Sequence, residues 1–243
     1  MLAHAAQKRD EAFRRLEALA AAAEKKSSAF SPIAIASMKE LQQQQQQLPL
    51  TTIPAETAFI VWDTETTGLG KSDCIVQLAA AFFAADGKCL WLYDRLWQLP
   101  DGLAIGERAK EVHGITEQDV FACGWAAEAE LCRVAEWFRR ATAAGIPIVA
   151  FNSRFDERML RQTACAHGCT TFDVSPVEFS CLMLASRPHS NLRTASGRRK
   201  GFKNSELFVH FFKEEPDVQL HDAAGDIAVT AACYVNARDK GWM

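Results

Sequence analysis

Between residues 58 and 100 apolar and polar positions group into short runs broken by turn chemistry. Ala58-Phe-Ile-Val-Trp-Asp63 is a compact apolar run that ends in a carboxylate. Cys74 to Ala85 is a second, carrying Ile75, Val76 and Leu78. Lys88 to Leu99 is a third, with Trp91, Tyr93 and Trp97, and Asp86-Gly87 between them is a turn signal. Runs of this length rich in aromatic and branched residues predict strands, the last two as a hairpin. Pro100-Asp101-Gly102 breaks the pattern.

The period then lengthens. A short helix is expected over about Gly106 to Val112. A longer one is expected from Trp125 to Ala144, where Leu131, Val134, Ala135 and Phe138 share one face. Ile146 to Phe151 reads as a buried strand, followed by a helix to about Ala166. Phe172-Asp-Val174 predicts a short strand, and Pro176 to Ala185, Lys203 to Phe212 and His221 to Arg238 predict helices. Strands first, then helices alternating with short strands, imply an α/β domain with a mixed central sheet and helices on both faces.

What precedes residue 58 is different. Residues 1–26 are rich in Ala, Glu, Lys, Arg and Leu, which favours a helical appendage, with Phe13, Leu16, Leu19 and Ala20 at helical spacing. Residues 27–57 hold six glutamines at 42–47 with Pro32, Pro49 and Pro54, the composition of a linker. The folded domain is therefore expected over 58–243. Residues 1–57 are read either as a solvated appendage or as a surface for a protein partner or self-association.

Apolar residues make up 49% of the chain and charged residues 23%, ordinary for a globular protein. No stretch approaches the roughly 18 apolar residues of a membrane span, so no membrane partner is expected. The first 26 residues lack an apolar signal-peptide core and carry Asp10, Glu11, Glu17 and Glu24. The expected location is intracellular, cytoplasmic or nuclear, and not secreted. The eight cysteines show no framework spacing and read as free thiols. Cys165-Ala-His167-Gly-Cys169, with Cys181 beyond, lacks the paired-knuckle arrangement of a zinc site and reads as a helix end with buried thiols.

Asp63 and Glu65 close the first strand. Residues i and i+2 of a strand point to the same side, so the two carboxylates project together. Side by side they repel unless a proton or a cation lies between them. Hard cations such as Mg²⁺ or Mn²⁺ take oxygen ligands of this kind. The plainer alternative is a strand end running into a polar turn, so the pair needs partners. Asp156 follows the Ile146 strand, and Asp226 opens the last helix, behind small residues at 223–225 that allow a close approach to the sheet. A two-metal site uses carboxylates around ions about 3.5–4 Å apart, and a neutral His such as His221 is suited to take a proton from an attacking water.

Asp63-Thr-Glu65-Thr-Thr-Gly68, Phe151-Asn152-Ser-Arg-Phe155-Asp156 and His221-x-Ala223-x-x-Asp226 together resemble the three ordered motifs of the DEDD superfamily of 3′–5′ exonucleases. The His five residues before the last Asp marks the His branch, DEDDh, the group of RNase T and the proofreading subunit of bacterial replicative polymerase. His113-Gly-Ile-Thr116 is similar to a further segment of that branch. The resemblance covers about residues 58–240 and implies a ribonuclease H-like fold. It implies a 3′–5′ exonuclease acting on DNA or RNA with a free 3′ end, with two Mg²⁺ or Mn²⁺ ions per site. Asp63 would bridge both ions, Glu65 and Asp226 would hold the one that activates water, Asp156 would serve the second, and His221 would be general base. The segment Thr64, Thr66 and Thr67 would meet the terminal 3′-hydroxyl, His113 would lie along the substrate path, and Asn152 and Phe155 would contact substrate. A rival is a nucleic-acid-binding or partner-recruiting module on the same fold, with catalysis minor or lost; the intact acids and His argue against it.

Net charge, −3, decides little, because two divalent cations add four positive charges and move it to +1. Its distribution matters more. Residues 187–203 hold Arg187, Arg193, Arg198, Arg199, Lys200 and Lys203 and no acid. The stretch is read as a phosphate-contacting loop, with Arg198, Arg199 and Lys200 at its centre, and its Gly and Ser content predicts disorder without substrate. The Lys203–Phe212 stretch departs from the leucine-rich helix usual for the superfamily at this point.

Overall fold

The computed structural model describes residues 52–216 and 223–243. The expected appendage over 1–26, most of the linker, and His221 lie outside the described residues.

Five strands form one sheet: β1 (Phe59–Thr66), β2 (Ile75–Phe83), β3 (Cys89–Leu96), β4 (Ile148–Ala150) and β5 (Phe179–Cys181). Their spatial order is β3-β2-β1-β4-β5. The first three pair antiparallel, and β1–β4 and β4–β5 pair parallel. This is the mixed sheet of the ribonuclease H-like fold, with β1 near its centre. Every residue of β2 is buried. A strand covered on both faces has no polar side to show, which is why its sequence is a continuous apolar run rather than an alternation.

β1 shows which face carries what. Phe59 and Val61 point into a core shared with α6 (Asn204–Phe212) and α7 (Ala223–Asp239). Ile60 and Trp62 point the other way, into a core shared with α3 (Ala127–Ala143) and α4 (Ser153–Ala166). By the same alternation Asp63 and Glu65 continue the α7 face, and Thr64 continues the α4 face. Each fully buried ring on this strand contributes on the order of 1.5–3 kcal/mol, and a one-residue slip that put the acids on the α4 face would also force Phe59 and Trp62 into each other's cores, where neither fits its present neighbours.

α7 is buried nearly all round, with Ala223, Ala224 and Gly225 among its covered residues, and lies across β1 and β2. The close approach expected from these small residues is thus present. α1 (Glu107–His113) and α2 (Glu117–Cys123) surround a smaller core of Val76, Ile105, Ile115 and Val120. α2 was not foreseen; Thr116 starts it through a reciprocal capping box with Asp119. At the other end of the domain Ile53, ahead of the expected boundary at 58, packs against the α4 core.

Several expectations are corrected. Phe172-Asp-Val174 is a turn rather than a strand: the Asp173 carboxylate accepts from the Ser175 amide at 2.8 Å, bending the chain as Asp does in turns. The fifth strand lies at Phe179–Cys181, inside the stretch expected to be helical, and helix begins only at α5 (Leu182–Ser186). The basic stretch is also built rather than disordered. Arg187–His189 form a 3₁₀ turn, and Arg193 pairs with Arg199 around a tight reversal in which Gly197 takes φ 79°. Backbone bonds from Thr194 to Arg198 and from Lys200 to Leu192 close this small hairpin.

Among the described residues no helix is long and apolar enough to cross a membrane. All eight cysteines are free. Cys165 is exposed and Cys169 half-buried, so the helix end at α4 carries accessible thiols rather than the buried ones expected.

Candidate metal centre

Asp63, Glu65 and Asp226 offer carboxylate oxygens that all lie within 4.8 Å of one another. Two come from β1 and the third from the first turn of α7, delivered by the packing of that helix across the strand. All three are half-buried, open enough for solvent and ligand to reach them. Among the described residues this is the one group of His, Cys, Asp or Glu side chains arranged closely enough to hold a cation. Hard oxygen donors at this spacing fit Mg²⁺ or Mn²⁺ and suit a soft-metal site poorly. The thiol and imidazole groups of Cys165, His167 and Cys169 form no such cluster.

Asp156 stands beside this trio. It is 3% exposed on the first turn of α4, and its Oδ1 accepts the Thr64 hydroxyl at 2.7 Å. Burial pushes its carboxyl up to about 7, the neighbouring Asp226 adds to the rise, and hydrogen bonds from Thr64 and backbone amides oppose it. A cation placed among these acids would ease the ionisation that burial opposes.

The remaining site residues read from sequence fall into two groups. Thr64, Thr66 and Thr67 are all buried, with their hydroxyls engaged in holding the strand end: Thr64 on Asp156, Thr66 on the Gly68 carbonyl, Thr67 on Asp73. His113 accepts the Ile115 amide at Nδ1, 3.0 Å, so its Nε2 carries the proton and donates to the Thr66 carbonyl at 3.2 Å. It braces the end of β1 next to Glu65. Asn152 occupies the N-cap position of α4 without a side-chain capping bond, and Phe155 leans on the α4 core under the Arg158 guanidinium.

The basic hairpin is divided. Arg198 and Arg199 are exposed, with Arg199 donating to the Pro188 carbonyl at 3.0 Å. The Lys200 ammonium is paired with Glu206 at 2.6 Å on the partly exposed side of the hairpin.

Four supporting residues escaped the sequence reading. Asp73 folds back over the β1–β2 loop, accepting from Thr67 at 2.7 Å and from the Gly70 amide at 2.6 Å. A Cβ at Gly68 would stand 2.7 Å from that carboxylate, so the loop requires glycine there. Arg158 and Gln162 on α4 hold the same loop through the Gly70 carbonyl, at 3.3 and 3.1 Å. Asn204, the first residue of α6, donates to Asp226 and Thr230. The signal for Asp73 was its place at the end of a Gly-rich turn, and for Arg158 and Gln162 their one-turn spacing from each other on the helix that carries Asp156; for Asn204 no sequence signal distinguished it. At the loop tip Leu69 is 77% exposed.

No family model matches the chain. A curated relative, the DNA polymerase III subunit epsilon-like protein of Rhodobacter capsulatus, is 31% identical over 180 residues, which is 73% of this chain and 23% of that protein. The chain thus spans about a quarter of that relative's length. Among solved structures, Escherichia coli exonuclease I in complex with a dA16 oligonucleotide superposes with TM-score 0.56 at 20% identity, covering 74% of this chain and 40% of that one. The zinc-bound exonuclease I–single-stranded DNA complex superposes with TM-score 0.59 at 20% identity, covering 75% and 40%. The apo exonuclease I gives TM-score 0.57 at 21% identity, covering 76% and 42%. These likenesses establish the fold.

Proposed function

We propose that this chain, which by its fold and its ordered acidic motifs belongs to the DEDD 3′–5′ exonuclease superfamily, is a metal-dependent 3′–5′ exonuclease. The observation that carries the proposal is the convergence of Asp63, Glu65 and Asp226 within 4.8 Å, with Asp156 held at their flank by Thr64.

Asp63, Glu65 and Asp226 would hold one divalent cation, and Asp63 with Asp156 a second. Bound cations of this kind lower the pKa of a coordinated water and neutralise charge on the phosphate and leaving oxygens. The protein's own share is positional. β1 and α7 fix the three carboxylates at the mouth of the site, and the Thr64 hydroxyl fixes the fourth. His221, five residues before Asp226 in sequence, takes the role of general base, receiving the water proton at a ring nitrogen as the phosphodiester is attacked. The backbone at Thr64–Thr67, kept in place by Asp73, His113 and the α4 side chains, would receive the terminal nucleotide. Leu69 at the loop tip offers an exposed apolar surface for a base, and Arg198 and Arg199 offer charge to phosphates further along the strand.

Two of the structures named above are complexes with a dA16 oligonucleotide and with single-stranded DNA, which favours a single strand with a free 3′ end as substrate. Incubating the full chain with 5′-labelled DNA and RNA oligomers, in Mg²⁺ or Mn²⁺ and in chelator, tests this. The expected result is metal-dependent shortening from the 3′ end; failure on every substrate and metal, or cleavage from the 5′ end, would overturn it.

A further inference from the structure

α6 begins where the superfamily resemblance departs, and its first residue touches the candidate metal centre. The Asn204 amide group donates from Nδ2 to the Asp226 carboxylate Oδ1 and to the Asp226 backbone carbonyl, each at 3.3 Å, and to the Thr230 hydroxyl at 3.0 Å. Carboxylate and carbonyl oxygens only accept, so the orientation of the amide is set by its surroundings. The other half of the amide is given up: its Oδ1 is buried and accepts no hydrogen bond among the described residues. A buried acceptor left unpaired is costly. A leucine there would avoid that cost, so what the asparagine supplies is the donor.

We propose that Asn204 is a positioning residue, whose amide fixes the carboxylate of Asp226 for the cation shared with Asp63 and Glu65. The inference rests on the reading of those three acids as a cation site and adds a dedicated support for the one ligand that comes from a helix. Asp63 and Glu65 lie on β1, whose backbone at these positions is paired with β2, whereas Asp226 sits in the opening turn of α7. A hydrogen bond from an outer side chain orients a ligating carboxylate ahead of the cation, and ligands held in this way lose less on binding it.

The support extends outward. The Glu206 carboxylate accepts the Lys203 amide at 2.8 Å and pairs with Lys200 at 2.6 Å. This fastens the start of α6, and with it Asn204, to the basic hairpin. The hairpin is thereby coupled to the metal centre through Glu206, Asn204 and Asp226 in turn.

Manganese titration calorimetry on the metal-stripped full chain, paired with thermal unfolding in chelator, tests the assignment. Asn204→Leu is expected to weaken Mn²⁺ binding about ten-fold or more while unfolding within a few degrees of wild type. Asn204→Ala should weaken binding alike, which covers the case in which the leucine does not fold. Thr230→Val removes the other partner of the amide; it should lower the unfolding temperature and leave Mn²⁺ affinity unchanged. Wild-type affinity in both Asn204 variants would overturn the proposal, as would equal weakening in Thr230→Val, which would make Asn204 mere glue between α6 and α7. If Asp63→Asn also binds Mn²⁺ like wild type, the cation-site reading itself fails, a different outcome from failure of Asn204 alone.

Discussion

The Thr64 hydroxyl donates to Oδ1 of Asp156 across 2.7 Å, between residues 92 positions apart in the chain. Asp63 and Glu65 lie on one face of β1 and Thr64 on the other, so this bond lets a single strand organise acids arriving from both sides of the sheet. Asp156 is itself buried, and the consequence is measurable without any substrate.

Burial and the neighbouring Asp226 raise the Asp156 carboxyl to about 7 from an ordinary value near 4. The folded state therefore binds a proton that the unfolded chain has already lost over that interval. Stability from this group is complete below about pH 4 and disappears as pH rises through about 7. Metal-free protein should melt at lower temperature at pH 8 than at pH 5. Asp156→Asn, which mimics the neutral carboxyl, should melt above wild type at pH 8 and close to it at pH 5. An equal gap at both values would show that the carboxyl is not the source.

Glu130 supplies a separate test of the framework. It is 1% exposed and receives the Tyr93 hydroxyl at 2.7 Å, Arg95 at 3.0 Å and Arg133 at 3.0 Å, while Trp97 donates to the same Tyr93 oxygen. Removing one member of a buried ionic network costs about 3–5 kcal/mol, because its partners stay desolvated. Glu130→Ala should lose stability of that order in chemical denaturation and keep wild-type Mn²⁺ affinity. A loss under about 1 kcal/mol would mean that the arginines simply turn to solvent.

His221 is assigned by sequence position alone, so its role is best read from kinetics. A general base contributes about 10²–10⁴-fold. His221→Ala should lose turnover in that range while binding a 3′-terminated oligomer nearly as wild type, and should lose the limb of the pH–rate profile that an imidazole supplies. Parallel losses in binding and turnover would instead give His221 a structural part.

Much of this architecture was legible from residues whose spacing carries one meaning. The Asp63–Glu65 pair sits on a period-two run, so its shared face follows from strand geometry, and the small residues before Asp226 announced a close helix. Less was legible where a local pattern had two solutions. Phe172-Asp-Val174 and Phe179-Ser-Cys181 are both short, part-apolar segments, and the choice between them is made by pairing with β4, a tertiary fact. The basic hairpin looked unstructured because its Gly and Ser content was read as flexibility, whereas Thr194 and Ser190 hydroxyls accept backbone amides that close its turns. Asn204 and Arg158 act on atoms far along the chain, through contacts that exist only once α6 and α4 have docked. Lys200 was assigned to phosphate by its charge alone, and Glu206, six residues on, was the unread partner.

The central claim, that the four acids form a cation-dependent site for trimming a 3′ end, meets its most direct test in Asp63→Asn. The substitution keeps shape and hydrogen-bonding capacity while removing the charge of the residue proposed to contact both cations. Wild-type protein with Mg²⁺ or Mn²⁺ should convert a 5′-labelled single-stranded oligomer into a ladder that shortens from the 3′ end, and chelator should abolish it. Asp63→Asn should fold as wild type and leave the oligomer intact. Identical ladders from the two proteins on DNA and on RNA would contradict the account.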